Sequence, residues 1–190
     1  MFPGRVLGCI ALVLAGLTAV ATCQNRAATV RGEHAWMTVV TQSDSPVAQA
    51  DGMDAKTVTI FNNLAKRYPK GLYWCCTGYN VMGPSSGVGV QWMAAPFTPS
   101  ANRTVTKIEV AAGYSQQGKN GIVVSLNLDN NGAPGNAVQT WNVSGLTRFG
   151  DCCGLVIVTS SSGIAVNGGQ QYWIVLSTDS SEQDTVDGWN

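Results

Sequence analysis

The chain has 190 residues, of which 45% are hydrophobic and only 12% are charged. Its 11 basic and 11 acidic residues cancel, and no cluster of Lys and Arg is present to bind phosphate groups, so the sequence excludes nucleic acid as a predicted partner. The 22 glycines, together with many Ser, Thr and Asn residues, favour short strands and turns over helices. A chain of this length accommodates one domain of ordinary size and an appendage.

Residues 1–21 have the features of a secretory signal peptide. Arg5 supplies the positive charge, residues 6–20 are almost wholly apolar, and Ala19-Val20-Ala21 fits a small-residue cleavage site. We therefore expect an exported protein that is secreted or held in the periplasm or at the cell surface. The alternative is a helix that stays in a membrane or a core. No later apolar run reaches about eighteen residues, so no transmembrane helix is predicted after cleavage.

Cys23 gives the end of this segment a second interpretation. Val20-Ala21-Thr22-Cys23 resembles the lipobox of bacterial lipoproteins, in which the Cys is lipidated and becomes the new N-terminus. Thr22 departs from that pattern, which has Gly, Ala or Ser before the Cys. Ordinary cleavage after Ala21 is therefore the preferred prediction, and lipidation of Cys23 is the alternative.

Residues 22–56 are predicted to form a poorly ordered linker. The segment is rich in Ala, Thr, Gln, Ser and Asp, and it offers little apolar surface to offset the entropy cost of ordering. Within it, only residues 36–40 have the composition of a short strand. His34, the single His of the chain, lies here and is interpreted as a solvated residue.

The folded domain is predicted to span residues 57–190 as an antiparallel, jelly-roll-like β-sandwich. Alternating or strongly apolar segments separated by turn residues indicate eight or nine short strands, three of them within the stretch 103–143. Pro96 is expected to end a strand, because proline cannot donate to a sheet ladder, and the Ser-rich segment 160–163 is expected to be a turn. The main predicted strands are 57–61, 88–94, 105–112, 122–128, 139–143, 155–159, 164–166 and 171–176.

Several phrases of the domain, in their order along the chain, resemble the choice-of-anchor R type of domain of exported bacterial proteins. They are TIFNNL, QWMAAPFTPSANRTVTKIEVA, VSLNLDNNGAPGNAVQTWNVSGL, FGDCCG and GGQQYWIVLS. The resemblance implies a jelly-roll-like sandwich outside the cytoplasm, with no assigned enzymatic activity and a variable C-terminal surface anchor. Family members usually continue beyond the position of Trp189-Asn190 with more strand and an anchoring tail. The resemblance thus implies either a piece of a longer chain or a sandwich that is completed differently.

Two pairs of adjacent cysteines, Cys75-Cys76 and Cys152-Cys153, are the main candidates for chemistry in the domain. Disulfides are the default for an exported protein. Two of the three connectivities link the pairs across the fold, and one such bridge would close a loop of about 77 residues and stabilise by roughly 4.5 kcal/mol. The alternatives are free or vicinally bonded cysteines and, least favoured, a metal site, because adjacent cysteines chelate one ion poorly.

The remaining residues predict no catalytic set, cofactor or metal. The segment 127–132 superficially matches the start of a calcium loop, but Asn127 stands where Asp is needed and Val138 where Glu is needed, so a hairpin turn is predicted. The domain has no His for a Ser–His or Cys–His pair. Its acids show no spacing typical of a catalytic pair. Those considered are Glu109, Asp129, Asp151, Asp179 and Glu182.

The tryptophans of the domain are either core residues or, in part, a platform on which a sugar could stack. They are Trp74, Trp92, Trp141, Trp173 and Trp189. The preferred hypothesis is a non-enzymatic exported module that acts in cell-surface structure or protein interaction. The alternatives are a carbohydrate-binding module and, third, a hydrolase that uses acidic residues. The partner is left open between a surface polysaccharide and a protein.

Intact-mass measurement tests the disulfide prediction. If Cys75, Cys76, Cys152 and Cys153 form bridges, the mature protein gains two hydrogens per bridge on reduction. Alkylation before reduction labels only free thiols and serves as the control. A mass that does not change on reduction would contradict the prediction.

Overall fold

The structure is a computed structural model that describes residues 37–42, 57–64, 78–87, 89–151, 155–179 and 186–189. In these residues the chain forms eleven β-strands and no helix. The strands are β1 (Met37–Gln42), β2 (Thr57–Asn62), β3 (Tyr79–Met82), β4 (Met93–Phe97), β5 (Arg103–Val110), β6 (Ala112–Gln117), β7 (Gly121–Asp129), β8 (Pro134–Ser144), β9 (Val156–Val166), β10 (Tyr172–Ser177) and β11 (Val186–Trp189).

The strands form three sheets in which every neighbouring pair is antiparallel. The first sheet has the order β2-β1-β5-β9, the second sheet has the order β4-β10-β7-β8, and the small sheet has the order β3-β11-β6. Nothing helical in this part of the chain has the length and apolar character needed to cross a membrane. The predicted all-β, sandwich-like fold is confirmed, and its jelly-roll connectivity stays a prediction.

The core lies between the first and second sheets and forms one continuous apolar cluster. Alternate residues of the strands enter it, which is why the period of two in the sequence indicated strands. Each such side chain contributes about 1.5–3 kcal/mol of hydrophobic stabilisation. Almost completely buried members are Val105, Ile108 and Val110 on β5, Ile122, Val124 and Leu126 on β7, and Ile174 and Leu176 on β10.

The stretch 103–143 holds four strands rather than the three predicted. Ala111 separates β5 from β6, and β6 then joins the small sheet beside β11. As a result β5 and β7 belong to different sheets. The alternation along β5 also differs from the prediction, because a register shift between Val105 and Lys107 brings both Val105 and Ile108 into the core.

The turn predicted between β7 and β8 is confirmed as a hairpin turn. Asn130 and Ala133 exchange two backbone hydrogen bonds, of 2.8 Å from Asn130 N and 3.2 Å from Ala133 N. Asn131 and Gly132 have positive φ values of 53° and 81°. Two consecutive left-handed residues form the turn whose twist matches that of the flanking strands, and Asn-Gly is the pair that adopts it most readily.

The linker interpretation is wrong for Met37–Gln42, which form β1 and overlap the short strand that composition allowed at residues 36–40. This strand pairs with β2 on one side and with β5 on the other, so it lies inside the first sheet. Val39 is completely buried in the core. The stabilising partners are distant in sequence, whereas the linker prediction was based on local composition. The other residues of the segment 22–56, like those of the segment 1–21, lie outside the described part.

The Ser-rich segment 160–163 is not a turn but a part of β9. The Ser160 side chain is buried, and its hydroxyl donates to Gln139 Oε1 of β8 at 2.8 Å. The pairing with β5 passes from Lys107↔Thr159 to Val105↔Ile164, so the additional residues of β9 form a bulge. Ser and Gly favour turns, but they are also compatible with a bulged strand. The composition of this segment therefore did not distinguish the two structures.

Strand β4 contains Pro96, where the sequence predicted that the strand had already ended. Its described partner is β10, and β4 is the edge strand of the second sheet. One side of an edge strand requires no ladder hydrogen bonds, so a proline is tolerated there. The strand begins at Met93, later than predicted, and Trp92 directly precedes it.

We expect Gly168→Ala to destabilise the domain by about 2–3 kcal/mol, because the new Cβ overpacks a rigid contact. A Cβ at Gly168 would lie 2.6 Å from Ala101 Cα and 2.9 Å from its carbonyl carbon, and both are backbone atoms. The Gly168 N–H also donates to Asn102 Oδ1 at 2.9 Å, which fixes this approach. Urea unfolding of the variant measures the loss.

The neighbouring Gly169 provides the matched control. Its φ is 77° and a Cβ there would meet no atom within 4 Å, so only backbone conformation is at issue. Gly169→Asn should therefore be nearly neutral, because Asn tolerates left-handed backbone, whereas Gly168→Asn should be at least as damaging as Gly168→Ala. Equal stability of the Asn variants at the two positions would contradict the packing argument.

Candidate functional site

The predicted cysteine sites lie outside the described residues. This holds for Cys75, Cys76, Cys152 and Cys153, and also for the alternative lipidation site at Cys23. The disulfide and lipidation interpretations therefore stay predictions. Across the described ranges, no group of three or more His, Cys, Asp or Glu side chains is arranged to hold a metal ion.

The described tryptophans fall into two groups. Trp173 and Trp189 are completely buried, and the indole N–H of Trp173 donates to Asp129 Oδ1 at 2.7 Å. Trp141 packs against the core, and its N–H donates to the Thr159 carbonyl of the first sheet at 2.8 Å. These three residues serve the fold. Trp92 is half-buried and lines a cleft, so it remains as the candidate for contact with a ligand.

The cleft lies on the face of the second sheet that points away from the core. The strand register places Ser177 of β10, Val123 of β7 and Asn142 of β8 side by side in one row. Thr140 lies in the next row, opposite Ser125. Because alternate residues of a strand share a face, this arrangement gathers small polar side chains beside Val123 on one surface.

The loop that follows β3, described at residues 83–87 and 89–90, supplies further lining residues. Its base is closed by two hydrogen bonds, from Met82 N to Gln91 O at 2.8 Å and from Gln91 N to Met82 O at 3.1 Å. Pro84 and Val90 of the loop reach the cleft, and Trp92 follows directly after the closed base. The loop thus adds apolar surface to the polar row of the sheet.

The cleft has a volume of about 570 Å³, which is within the range of small-molecule sites. Its described lining contains no basic side chain, and it contains a single carboxylate, that of Asp179. The lining combines apolar groups with hydroxyl and amide groups. The residues are Pro84, Val90, Trp92, Val123, Thr140, Asn142, Ser177, Thr178 and Asp179.

The indole N–H of Trp92 is buried and has no hydrogen-bond acceptor among the residues that the structure describes. In this it differs from Trp141 and Trp173, whose N–H groups both donate to oxygen atoms of the protein. A buried donor without an acceptor costs about 1–3 kcal/mol. Such a group in a native fold calls for an explanation, and it belongs to a residue that lines the cleft.

Asp129 is a structural carboxylate that joins the β7–β8 turn to β10. It accepts hydrogen bonds from Trp173 Nε1 at 2.7 Å, Gly132 N at 3.1 Å and Gln171 Nε2 at 2.7 Å. These bonds, that of Trp173 foremost, hold the pKa of Asp129 below its ordinary value, and partial desolvation opposes them only in part. Asp129, in the segment that resembles the start of a calcium loop, therefore stabilises the turn that follows it.

The other candidate acids do not meet in one place. Glu109 lies 2.7 Å from Lys107 Nζ in an ion pair, Asp151 is exposed, and Asp179 lines the cleft. Glu182 lies outside the described residues. Among the acids named from the sequence and described by the structure, Asp179 is the one at the cleft.

In the sequence, Trp92 is only one of five candidate tryptophans, and nothing marks the polar residues around it. Thr140, Asn142 and Ser177 come from strands that are far apart in sequence and are brought together by the β8–β7–β10 register. The signal available in the sequence was the alternation of polar residues with buried ones along these strands. It indicates an outward face, but it does not show which outward faces become neighbours.

Comparison of the chain with protein-family models found no match, and comparison with curated proteins also found none. The resemblance to choice-of-anchor R type domains stays a prediction from the sequence phrases.

We expect the contribution of Asp129 to stability to depend on pH. Because its pKa is lower in the folded chain than in the unfolded chain, the contribution is present above the unfolded value and is lost as pH falls through the folded value. Asp129→Asn replaces one acceptor oxygen by a donor, so its melting temperature should be lower than that of wild type at neutral pH. The difference should shrink below about pH 4.

Thermal melts of both proteins between neutral and strongly acidic pH measure this effect. Glu109→Gln is the control, because it removes an acid whose Lys107 partner is 38% exposed, and such pairs contribute little. A melting-temperature difference between wild type and Asp129→Asn that is constant over the whole pH range would contradict the role assigned to the carboxylate.

Proposed function

We propose that the chain is a non-enzymatic, exported β-sandwich module that binds a carbohydrate in the cleft beside Trp92. The observation that carries the proposal is the partly buried indole of Trp92, which lines a cleft together with hydroxyl and amide side chains. A pyranose ring has an apolar face of C–H groups and a rim of hydroxyls. An aromatic ring can stack against the apolar face, and the side chains of Thr140, Asn142 and Ser177 can form hydrogen bonds with the hydroxyls of the rim.

Export is supported by the signal-like segment at residues 1–21. Its charged start, apolar run and small-residue cleavage site are typical of secreted and periplasmic proteins. A carbohydrate ligand agrees with that location, because polysaccharides are major components of cell surfaces.

A role limited to surface structure or protein interaction is the second candidate function. Protein interfaces have an apolar, aromatic-rich centre. In the described part of the chain, only three large apolar side chains are strongly exposed, and they lie on three different strands: Leu128, Val138 and Ile157. The cleft therefore favours the carbohydrate hypothesis.

A hydrolase is the third candidate, and the lining of the cleft gives it less support. Glycoside hydrolysis generally uses two carboxyl groups that flank the scissile bond. Asp179 supplies the one carboxylate of the described lining residues. We therefore propose binding without cleavage.

We expect Trp92→Ala to weaken saccharide binding by at least about tenfold, because it removes the stacking surface. Asn142→Ala should weaken binding by a smaller factor, because it removes hydrogen bonds from an exposed position. A glycan array identifies the ligands, and isothermal titration calorimetry with the best ligand measures both variants.

Ile157→Ala is the matched control, since Ile157 is an exposed apolar residue on β9 of the first sheet. It should bind as wild type does. Thermal melts establish whether each variant is folded. If Trp92→Ala does not fold, the affinity of Asn142→Ala decides the test. Absence of saccharide binding by wild type, or unchanged affinity in the folded variants, would overturn the proposal in favour of a structural or protein-binding module.

A further inference from the structure

We propose that Asn131 is a site of spontaneous covalent modification, at which the side-chain amide condenses with the backbone nitrogen of Gly132 and loses ammonia. Asparagine is among the thermolabile residues of proteins, and a following glycine favours this reaction because no Cβ hinders the approach of its nitrogen. The fold restrains the Asn-Gly pairs of the chain to different degrees, and the pair in the β7–β8 turn is restrained least. The chain has three such pairs: Asn120-Gly121, Asn131-Gly132 and Asn167-Gly168.

Water is the co-reactant of this modification. Gly132 N gives its proton to solvent and forms a bond to Asn131 Cγ, while the Cγ–Nδ2 bond breaks and ammonia leaves with a proton taken from solvent. The product is a cyclic imide, which water then opens. Opening at Cγ leaves aspartate, and opening at the Asn131 backbone carbonyl leaves isoaspartate, whose main chain contains one additional carbon. In both products ammonia has been exchanged for water.

Asn120 is protected because both ends of its side-chain amide are held. Its Nδ2 donates to the Leu146 carbonyl at 2.9 Å, and its Oδ1 accepts a hydrogen bond from Leu146 N at 2.7 Å. Gly121 is buried at the start of β7, where it pairs with Ser144. An attack by Gly121 N on the Asn120 side chain would require these bonds to break and the strand to shift.

Asn167 is protected mainly through the backbone of the glycine that follows it. Gly168 N donates to Asn102 Oδ1 at 2.9 Å, and a Cβ at Gly168 would lie 2.6 Å from Ala101 Cα. The Asn167 side chain is exposed and donates to Gln170 Oε1 at 3.2 Å. The rigid contact with Ala101 opposes the movement that Gly168 N needs to reach this side chain.

Asn131 lies at an exposed tip, and its side chain donates only to Asn130 Oδ1, at a long distance of 3.4 Å, among the residues that the structure describes. Gly132 is also exposed, and a Cβ there would meet no atom within 4 Å. The attacking nitrogen has one described acceptor, Asp129 Oδ2, at 3.1 Å. A single hydrogen bond to an exposed carboxylate oxygen is therefore the main restraint on the reaction at this site.

Incubation of the folded wild-type chain at neutral pH, well below its melting temperature, tests the proposal. Fragmentation mass spectrometry of the digested protein measures conversion at each pair. We expect Asn131 to react at least about tenfold faster than Asn120 or Asn167, because those sites must break more restraints to reach a reactive conformation.

The same incubation in urea provides the control, since the unfolded chain should convert the three pairs at similar rates. Equal rates at the three pairs in the folded chain, or faster reaction at Asn120 or Asn167, would overturn the proposal. It would also be overturned if Asn131 in the folded chain stayed intact until the unfolded chain was fully converted.

Asp129→Asn tests the restraint on Gly132 N. Trp173 and Gln171 both donate to Oδ1 of Asp129, whereas Gly132 N donates to Oδ2. The amide oxygen of the variant keeps its two donors when it takes the position of Oδ1. Its NH2 group then faces Gly132 N, to which it offers no acceptor.

In Asp129→Asn, the rate at Asn131 should rise about fivefold, which corresponds to the loss of one hydrogen bond. The rates at Asn120 and Asn167 should stay as in wild type, and Glu109→Gln should change none of the three. An unchanged rate at Asn131 would overturn the restraint assigned to Asp129. Equal acceleration at all three pairs would overturn it as well, because it would indicate reaction through global unfolding.

Discussion

Strand β10 is buried on both of its faces, and much of the structure follows from this constraint. Tyr172, Ile174 and Leu176 face the core, while Trp173 and Val175 are buried on the opposite side of the sheet. A strand with two buried faces requires partners on both edges, and β4 and β7 provide them. The outer face of the second sheet is therefore not a plain polar surface, as it would be in a simple two-layer sandwich.

The candidate cleft lies beside this covered region. The row of Val175 and Ser125 is buried, and the adjacent row of Ser177 and Val123 is partly open and lines the cleft. On this face of the sheet, a buried row of side chains is thus followed directly by a row that is accessible to solvent. A ligand at this position would contact Val123, Thr140, Asn142 and Ser177 on paired strands of the second sheet, whereas the other lining residues lie in the segments that flank β4 and β10. Sites placed on paired strands keep their side chains in fixed relative positions.

Local sequence patterns predicted the parts of the fold whose stabilisation is local or regular. The strand character of β5, β7 and β10 and the Asn131-Gly132 turn follow from the distribution of apolar residues and from turn preference. For β1 the patterns allowed only a short strand at residues 36–40 within a linker, and the pairing with β2 and β5 is what makes it part of the first sheet. The bulge within β9 and the neighbours of Trp92 were missed for the same reason, since both depend on register between distant strands.

The position of β1 between β2 and β5 has a consequence for the order of assembly. During synthesis from the N-terminus, β1 and β2 emerge well before β5, so at that time they can form only an isolated hairpin. A two-stranded hairpin has marginal stability in water. It becomes stable only when β5 (Arg103–Val110) has been synthesised and pairs with the free edge of β1. The first sheet therefore closes around β5, and a chain interrupted before this strand would expose an unpaired edge.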